Sequence, residues 1–314
     1  MKKIKVQSAN DITLEEGLEL FMRKCQVKNL SKATIGIYRI NLKYLFDFLG
    51  ADYPVAKIKE EMIDELTLRI KEKGLKTTSV NTVLRSTRTF LYYLMETGKM
   101  NRFKVSLQKE EEEVIKETYT EDELRRLLKK PNMRKVDFNE YRVWVLENYL
   151  LATGNRISTA LSVQIKDIDF NNNLITLRKT KNRRQQIIPM SHSLIQILQE
   201  YLGIRGGENE DYLFCNNWGG KADIRTFQQC VADYNIKRGV NKTSCHLFRH
   251  TFAKMWILNG GDAFRLQKML GHSTLDITKK YIQMFSDDLK IDFNSFNPLE
   301  SLELNQEKRI KIRG

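Results

Sequence analysis

Apolar residues recur at helical spacing over most of the first hundred positions. Thr13 and Glu16 form a capping box ahead of an apolar run, which marks the start of a first helix. In "LSKATIGIYRINLKYLFDFLG", Ile35, Tyr38, Leu42, Leu45, Phe46 and Leu49 share one face, and Gly50 ends the helix. A third helix is predicted over residues 60–73. A fourth, "SVNTVLRSTRTFLYYLMETG", turns Val80, Val83, Leu84, Leu91, Leu94 and Met95 one way and closes at Gly98. Residues 101–118, "NRFKVSLQKEEEEVIKET", lose the period and read as a linker. Thr120 and Glu123 form a second capping box, and the pattern then becomes mixed. "VWVLENYLLATG" and "ISTALSV" are helical. "IKDIDFNNNLITLRKTKNRRQQIIPM" alternates and turns at Asn171–Asn173, which predicts a small antiparallel sheet. From residue 191 helix returns almost to the end, and the tail "QEKRIKIRG" is basic. The expected fold is mainly α with a small antiparallel β-sheet: a helical domain over 1–100, a linker over 101–118, a mixed α+β domain over 119–286 and a terminal segment over 287–314.

Composition adds a partner to this outline. The chain has 314 residues, room for two ordinary domains, and 41% of them are hydrophobic, so a core can be buried and disorder is excluded. Lysine and arginine number 53 against 39 acids, a formal charge of +14, which points to a polyanion and most often to nucleic acid. Cys25, Cys215, Cys230 and Cys245 form no CxxC pair and read as reduced thiols in a cytosolic protein. The basic start "MKKIKVQSAN" lacks the apolar stretch of a secretion signal, and no run is long enough to cross a bilayer.

The candidate chemistry centres on "HLFRHT". His246 and His250 are four apart, so on a helix both imidazoles share a face, as in the first half of a zinc-protease site. That chemistry needs a glutamate after the first histidine, and Leu247 stands there. Neither Asp262 nor His272 lies at a third-ligand spacing. The alternatives are histidines satisfied in a core, or a phosphate site built on Arg249, whose guanidinium makes paired charge-assisted bonds to anionic oxygens. A second arginine, Arg156, follows "ATGN" at a helix start, where anions are favoured. The lysine-rich turn "RKTKNRR" lies between the two, and "LGHSTLDITKKYIQ" places His272 nine residues before Tyr281.

Those four pieces, in that order, resemble the tyrosine recombinases, or phage-integrase family, over nearly the whole chain. The resemblance implies a helical core-binding (SAM-like) DNA-binding domain followed by a tyrosine-recombinase catalytic domain. It carries the family's catalytic arginines onto Arg156 and Arg249, its histidines onto His246 and His272, and its nucleophile onto Tyr281. The family lysine falls on Lys181, with Lys179 its near competitor, and His250 takes a supporting place. Asn155 and Thr159 depart from the family, which commonly has a leucine and an acidic residue there. Thr159 bears on what holds Arg156.

The implied reaction is metal-free and cofactor-free phosphoryl transfer. Tyr281 attacks a DNA phosphodiester to give a 3′-phosphotyrosyl ester, with Tyr201 and Tyr234 as the fallback nucleophiles. Arg156 and Arg249 answer the charge on the non-bridging oxygens, and His272 bonds one of them. His246 is the candidate to accept the tyrosine proton, and Lys181 protonates the leaving 5′-oxygen. DNA grip is expected from Asn81, Arg85, Arg88 and Tyr92 on the fourth helix, from Lys32, Arg39 and Lys43 on the second, and from Arg183 and Arg184 in the hairpin turn. Implied partners are double-stranded DNA with inverted-repeat core sites and further copies of the chain in a tetramer, with no membrane and a cytoplasmic, nucleoid-associated location. The apolar residues after Tyr281 are expected to dock on a neighbouring subunit or on their own domain. A type IB topoisomerase shares the chemistry, and a non-catalytic DNA-binding module shares the charge. The catalytic set argues against the second, and the short two-domain outline favours a recombinase over the first.

Overall fold

The first two helices of the amino-terminal half start where a short polar side chain meets the free amides of the first turn. Thr13 accepts from the Glu16 amide at 3.2 Å, and the Glu16 carboxylate accepts from the Thr13 amide at 2.8 Å. Together they open α1 (Leu14–Val27). Ser31 does the same for α2 (Lys32–Leu49), which stops at Gly50, φ 89°. Helices α3 (Glu60–Glu72) and α4 (Thr77–Glu96) complete the group. In this computed structural model, residues 12–109, 117–178, 185–216, 218–272, 274 and 279 are described. The chain divides into two compact units, Met1–Val114 and Ile115–Gly314.

In the first unit α4 packs against α1, α2 and α3. Leu14, Leu45, Val80, Leu84, Phe90, Leu91 and Leu94 are fully enclosed. Phe21 of α1 sets its ring edge-on to Tyr38 and Phe90, at 5.2 and 5.4 Å between centroids. A buried bond from Asn41 to Ser86, 2.8 Å, ties α2 to α4.

The structure corrects part of the expected DNA-binding face. Asn81 is only 1% exposed, and its amide group makes two bonds to the backbone of Gln108, donating to the carbonyl at 2.9 Å and accepting from the amide at 2.8 Å. The Tyr92 hydroxyl accepts from the Val105 amide at 3.4 Å. These two side chains hold the chain that returns along α4, so the Asn81 amide is turned inward, away from the surface a phosphate would meet. Residues 101–109 carry no helix or strand, yet Val105 is buried in the first unit's core. The first half of the stretch read as linker is therefore packed structure. Lys32, Arg39, Lys43 and Arg85 are exposed, and Arg88 is half-buried.

The second unit is built around one helix. After the short α5 (Glu121–Leu127), opened by the Thr120–Glu123 box, comes α6 (Phe138–Thr153). Tyr141, Val143, Trp144, Val145, Leu146, Tyr149 and Leu150 of α6 are all buried, so it is apolar on nearly every side, the mark of a central helix. The helices α8 (His192–Arg205), α9 (Ile224–Lys237) and α10 (Cys245–Leu258) pack on it. The short α7 (Ile157–Ala160) follows it directly, and α11 (Ala263–Leu270) packs on α10.

A sheet of three antiparallel strands, β1 (Ile168–Asp169), β2 (Leu174–Leu177) and β3 (Gln186–Pro189), lies in the order β1-β2-β3. Its first turn falls at the expected asparagines. Asp169 accepts from the Asn171 and Asn172 amides, both at 3.0 Å, and Asn173 takes φ 58°. The helix expected from residue 191 is interrupted at Gly206 and Gly207, whose φ values of 66° and 103° end α8. The following loop is held to the core by backbone bonds, Leu213 to Val163 at 2.8 Å and Ile165 to Asp211 at 2.9 Å, and it buries Leu213 and Phe214.

One group in α6 is electrostatically costly. Glu147 is fully buried, and neither carboxylate oxygen meets a hydrogen-bond partner. Burial pushes its carboxyl well above the usual carboxylate range, against the opposing pull of Arg238. The folded state therefore keeps a proton that the unfolded state loses once pH exceeds the ordinary glutamate value. Stability is full below that value and falls as pH rises, by at most about 1.4 kcal/mol per pH unit for one such group. Glu147→Gln should flatten the decline between about pH 5 and pH 8, read by urea denaturation across that range.

Candidate active site

Of the expected catalytic residues, Arg156, His246 and His272 sit at helix ends. Helix α6 terminates at Gly154, which adopts the left-handed conformation at φ 63°. Two residues later Arg156 precedes α7 with extended backbone, and its carbonyl accepts from the Thr159 and Ala160 amides. Asn155, between them, is buried and donates to the Tyr149 hydroxyl at 3.1 Å. Arg156 is half-buried. Thr159, where the family commonly has an acid, is buried, and its carbonyl accepts from the Ser162 hydroxyl at 2.8 Å.

Helix α10 carries "HLFRHT", and Ser244 caps it by accepting from the His246 amide at 3.3 Å. Arg249, 2% exposed, points from α10 between the ends of two other helices. One guanidinium nitrogen donates to the Gly154 carbonyl at 2.9 Å, and the other to the Leu270 carbonyl at 2.8 Å. The last carbonyls of a helix lack partners of their own and carry its negative end, so a buried cation is held well there. The second nitrogen also lies 2.7 Å from Nε2 of His272. Arginine only donates, so that nitrogen accepts and the imidazole proton is assigned to Nδ1. These three bonds orient the guanidinium from two helix ends and one ring.

His272 is itself fixed. It follows Gly271, the left-handed end of α11, its amide donates to the Gln267 carbonyl at 3.1 Å, and its own carbonyl accepts from the Gln267 side chain at 3.3 Å. His246 is exposed and His250 half-buried, their rings edge-on with centroids 4.8 Å apart. Asp262 and His272, neither at a third-ligand spacing in the sequence, are engaged in other contacts. Asp262 caps α11 through the Arg265 amide at 2.8 Å, and His272 lies against Arg249. Among the described residues no group of three histidine, cysteine or acidic side chains could hold a metal.

The fold thus gathers Arg249 and His272 at one point, and the Gly154 carbonyl that anchors Arg249 stands two residues before Arg156 in the chain. Lys179, Lys181, Arg183, Arg184 and Tyr281 lie outside the described residues. The fallback nucleophiles are unsuited to the task. Tyr201 and Tyr234 are buried, their hydroxyls donate to the Leu213 and Leu127 carbonyls at 3.1 and 2.9 Å, and burial raises both phenols far above the ordinary tyrosine value. Sequence reading missed Gly154 and Gln186. The Gly154 carbonyl anchors Arg249, and the Gln186 side chain reaches the end of α11. The glycine after a predicted helix was a visible signal for the first; a strand-end glutamine gives none for the second.

Comparison with known proteins decides the family. The phage integrase family pattern matches residues 117–287, more than half of the chain. The chain belongs to the phage integrase family. The family's amino-terminal SAM-like domain matches residues 18–98. Tyrosine recombinase XerC of Thermodesulfovibrio yellowstonii is 28% identical over 288 residues, covering 87% of this chain and 92% of the relative. The Tn1549 transposon integrase in complex with transposon right end DNA superposes with a TM-score of 0.72 at 21% identity, over 89% of this chain and 99% of that one. A lambda integrase tetramer bound to a Holliday junction gives 0.69 at 17% identity, over 87% and 82%. At those identities the two structures show a shared fold. It is the two-unit integrase fold, mostly helical with a small antiparallel sheet.

The packing around Gly154 makes a direct test of the site. A methyl added there would lie 2.5 Å from the Phe252 ring and 2.8 Å from Leu270, and it would force a side chain into the left-handed region. At Gly260, φ 72°, the same methyl would meet nothing within 4 Å. Gly260→Ala should cost roughly 1–2 kcal/mol, the backbone penalty alone, and leave DNA cleavage intact. Gly154→Ala should cost about 2–4 kcal/mol, overpacking included, and depress cleavage because the carbonyl that holds Arg249 moves. Denaturation melts paired with cleavage rates check both.

Proposed function

We propose that this chain is a site-specific DNA recombinase that cuts and rejoins strands through a 3′-phosphotyrosyl ester on Tyr281. Family membership supports the reaction class, and relatives such as XerC are tyrosine recombinases by name. The observation that carries the reading is the Arg249 grip, which meets His272 and is anchored on the Gly154 carbonyl, two residues before Arg156 in the chain. A buried, oriented arginine beside a histidine suits the charge that gathers on non-bridging phosphate oxygens during transfer, and preorganised donors of this kind are usually the largest catalytic term. Arg156 supplies the second positive charge, and His246, exposed on α10, takes the tyrosine proton in this reading. Lys181 protonates the leaving 5′-oxygen. The ester conserves the energy of the broken bond, so a 5′-hydroxyl from another duplex can attack it without a nucleotide cofactor.

In this reading the first unit holds duplex DNA through Lys32, Arg39 and Lys43, spaced for one face of α2, and through Arg85 and Arg88 of α4. Arg183 and Arg184 add phosphate contacts from the hairpin. Strand exchange joins two duplexes and needs four cleaving subunits, so the working form is a tetramer on inverted-repeat core sites, in the cytoplasm with the nucleoid. The apolar residues after Tyr281 serve assembly by docking on a neighbouring copy.

Tyr281→Phe should keep DNA binding and abolish the covalent complex on a nicked suicide substrate, because the ring stays and the oxygen goes. Tyr201→Phe and Tyr234→Phe should retain the covalent band at a stability loss of roughly 1 kcal/mol each, one buried hydrogen bond. A covalent band surviving in Tyr281→Phe would refute the assignment of the nucleophile.

Lys181→Ala should slow cleavage by about 10²- to 10⁴-fold, the range for a lost general acid. A substrate with sulfur at the 5′-bridging position leaves as a thiolate and needs no proton, so it should restore most of the lost rate. Absence of that recovery would transfer the role elsewhere, with Lys179→Ala the next variant measured.

A further inference from the structure

The end of α11 is held by two side chains that belong to other elements. Arg249 of α10 takes the Leu270 carbonyl. Gln186, the first residue of β3, donates its side-chain amide to the Met269 carbonyl at 3.0 Å and to the Lys268 carbonyl. Its side-chain oxygen would lie 2.9 Å from any Cβ placed on Gly271. Three successive carbonyls at this helix end, Lys268, Met269 and Leu270, thus meet donors from a strand and from the catalytic helix.

Such support matters because α11 has only eight residues and a small apolar contact, Leu266 and Leu270 with Ala253 and the rings of Phe252 and Trp256. A helix that short is not stable alone, so its position is set by what grips it. What it carries is His272, two residues past its last turn, and the carbonyl that orients one arm of Arg249. A shift of its end would move both partners of the 2.7 Å Arg249–His272 contact.

We infer that Gln186 is a positioning residue for strand cleavage: it fixes the end of α11 so that Arg249 and His272 stay aligned on the scissile phosphate. The inference rests on the phosphate role proposed above for Arg249. Donation, not bulk, is the required property. Gln186→Ala removes the donor. Gln186→Glu keeps the shape but faces two carbonyls with an acceptor, until acid restores a proton to it.

The test uses the full chain and a nicked suicide duplex built on the DNA that cross-links to the wild-type protein in cells. A second duplex carries a neutral methylphosphonate at the scissile position, which removes the charge that Arg249 answers. On the phosphodiester, Gln186→Ala and Gln186→Glu should cleave about 10- to 100-fold slower than wild type with unchanged DNA affinity, the loss expected from a misplacement near 1 Å. On the methylphosphonate that gap should close to within about threefold, as it should for Arg249→Ala run beside them. The ratio of Gln186→Glu to wild-type rate should also rise as pH falls toward the carboxylate range, which a purely structural defect would not produce.

An equal defect on both duplexes, with recovery seen only for Arg249→Ala, overturns the inference and makes Gln186 a residue of stability alone. Recovery of Gln186→Ala on a 5′-bridging sulfur substrate but not on the methylphosphonate overturns it in favour of the hairpin lysine. If Arg249→Ala shows no recovery either, the phosphate role of Arg249 has failed, and the inference falls with it.

Discussion

The site depends on one buried guanidinium placed between two helix ends. Arg249 reaches from α10 to the closing carbonyl of α6 and to that of α11, and it meets His272 on the way. A lysine could not make this contact, because one ammonium has no fork to span two carbonyls and a ring nitrogen at fixed angles.

Around that interaction the fold supplies rigidity in two ways. Helix α6 is buried on almost all sides and gives α8, α9 and α10 a common surface, so the Gly154 end is set by packing rather than by a loop. The amino-terminal edge of the unit is tied to α10 as well. The Tyr119 amide donates to the Thr251 hydroxyl at 2.9 Å, and the Tyr119 ring lies 4.6 Å from that of Phe248. The helix that presents His246 and Arg249 is thus fixed on both flanks. Glu147 is the exception in this core, a buried acid without a hydrogen-bond partner, and it makes the same central helix sensitive to pH.

Much of this was legible in the residues. The capping boxes at Thr13–Glu16 and Thr120–Glu123, the stop at Gly50, and the asparagine turn before β2 are local chemistry, decided within four or five positions. The order of the arginines, histidines and tyrosine pointed to the family before any coordinates. What stayed hidden depends on distant partners. Gly206 and Gly207 end a helix whose apolar pattern continues past them, because Leu213 and Phe214 are buried as loop rather than as helix. Asn81 shares a flank with Arg85, and only the returning chain at Gln108 reveals that its amide faces inward. The carbonyls that hold Arg249, and Gln186 at the end of α11, belong to backbone groups that every residue has, so no residue type announces them.

The Asn81–Gln108 pair changes where this protein could be cut in two. A fragment ended at residue 100, where helical periodicity stops, would lack the strap that covers α4. It would take from the Asn81 amide its two bonds to Gln108 and uncover the apolar surface now shielded by Val105. An amino-terminal piece that carries the chain through Lys109 takes its own cover with it. The smallest self-sufficient form of this half is therefore longer than its helices, and its boundary is written in two hydrogen bonds rather than in a change of composition.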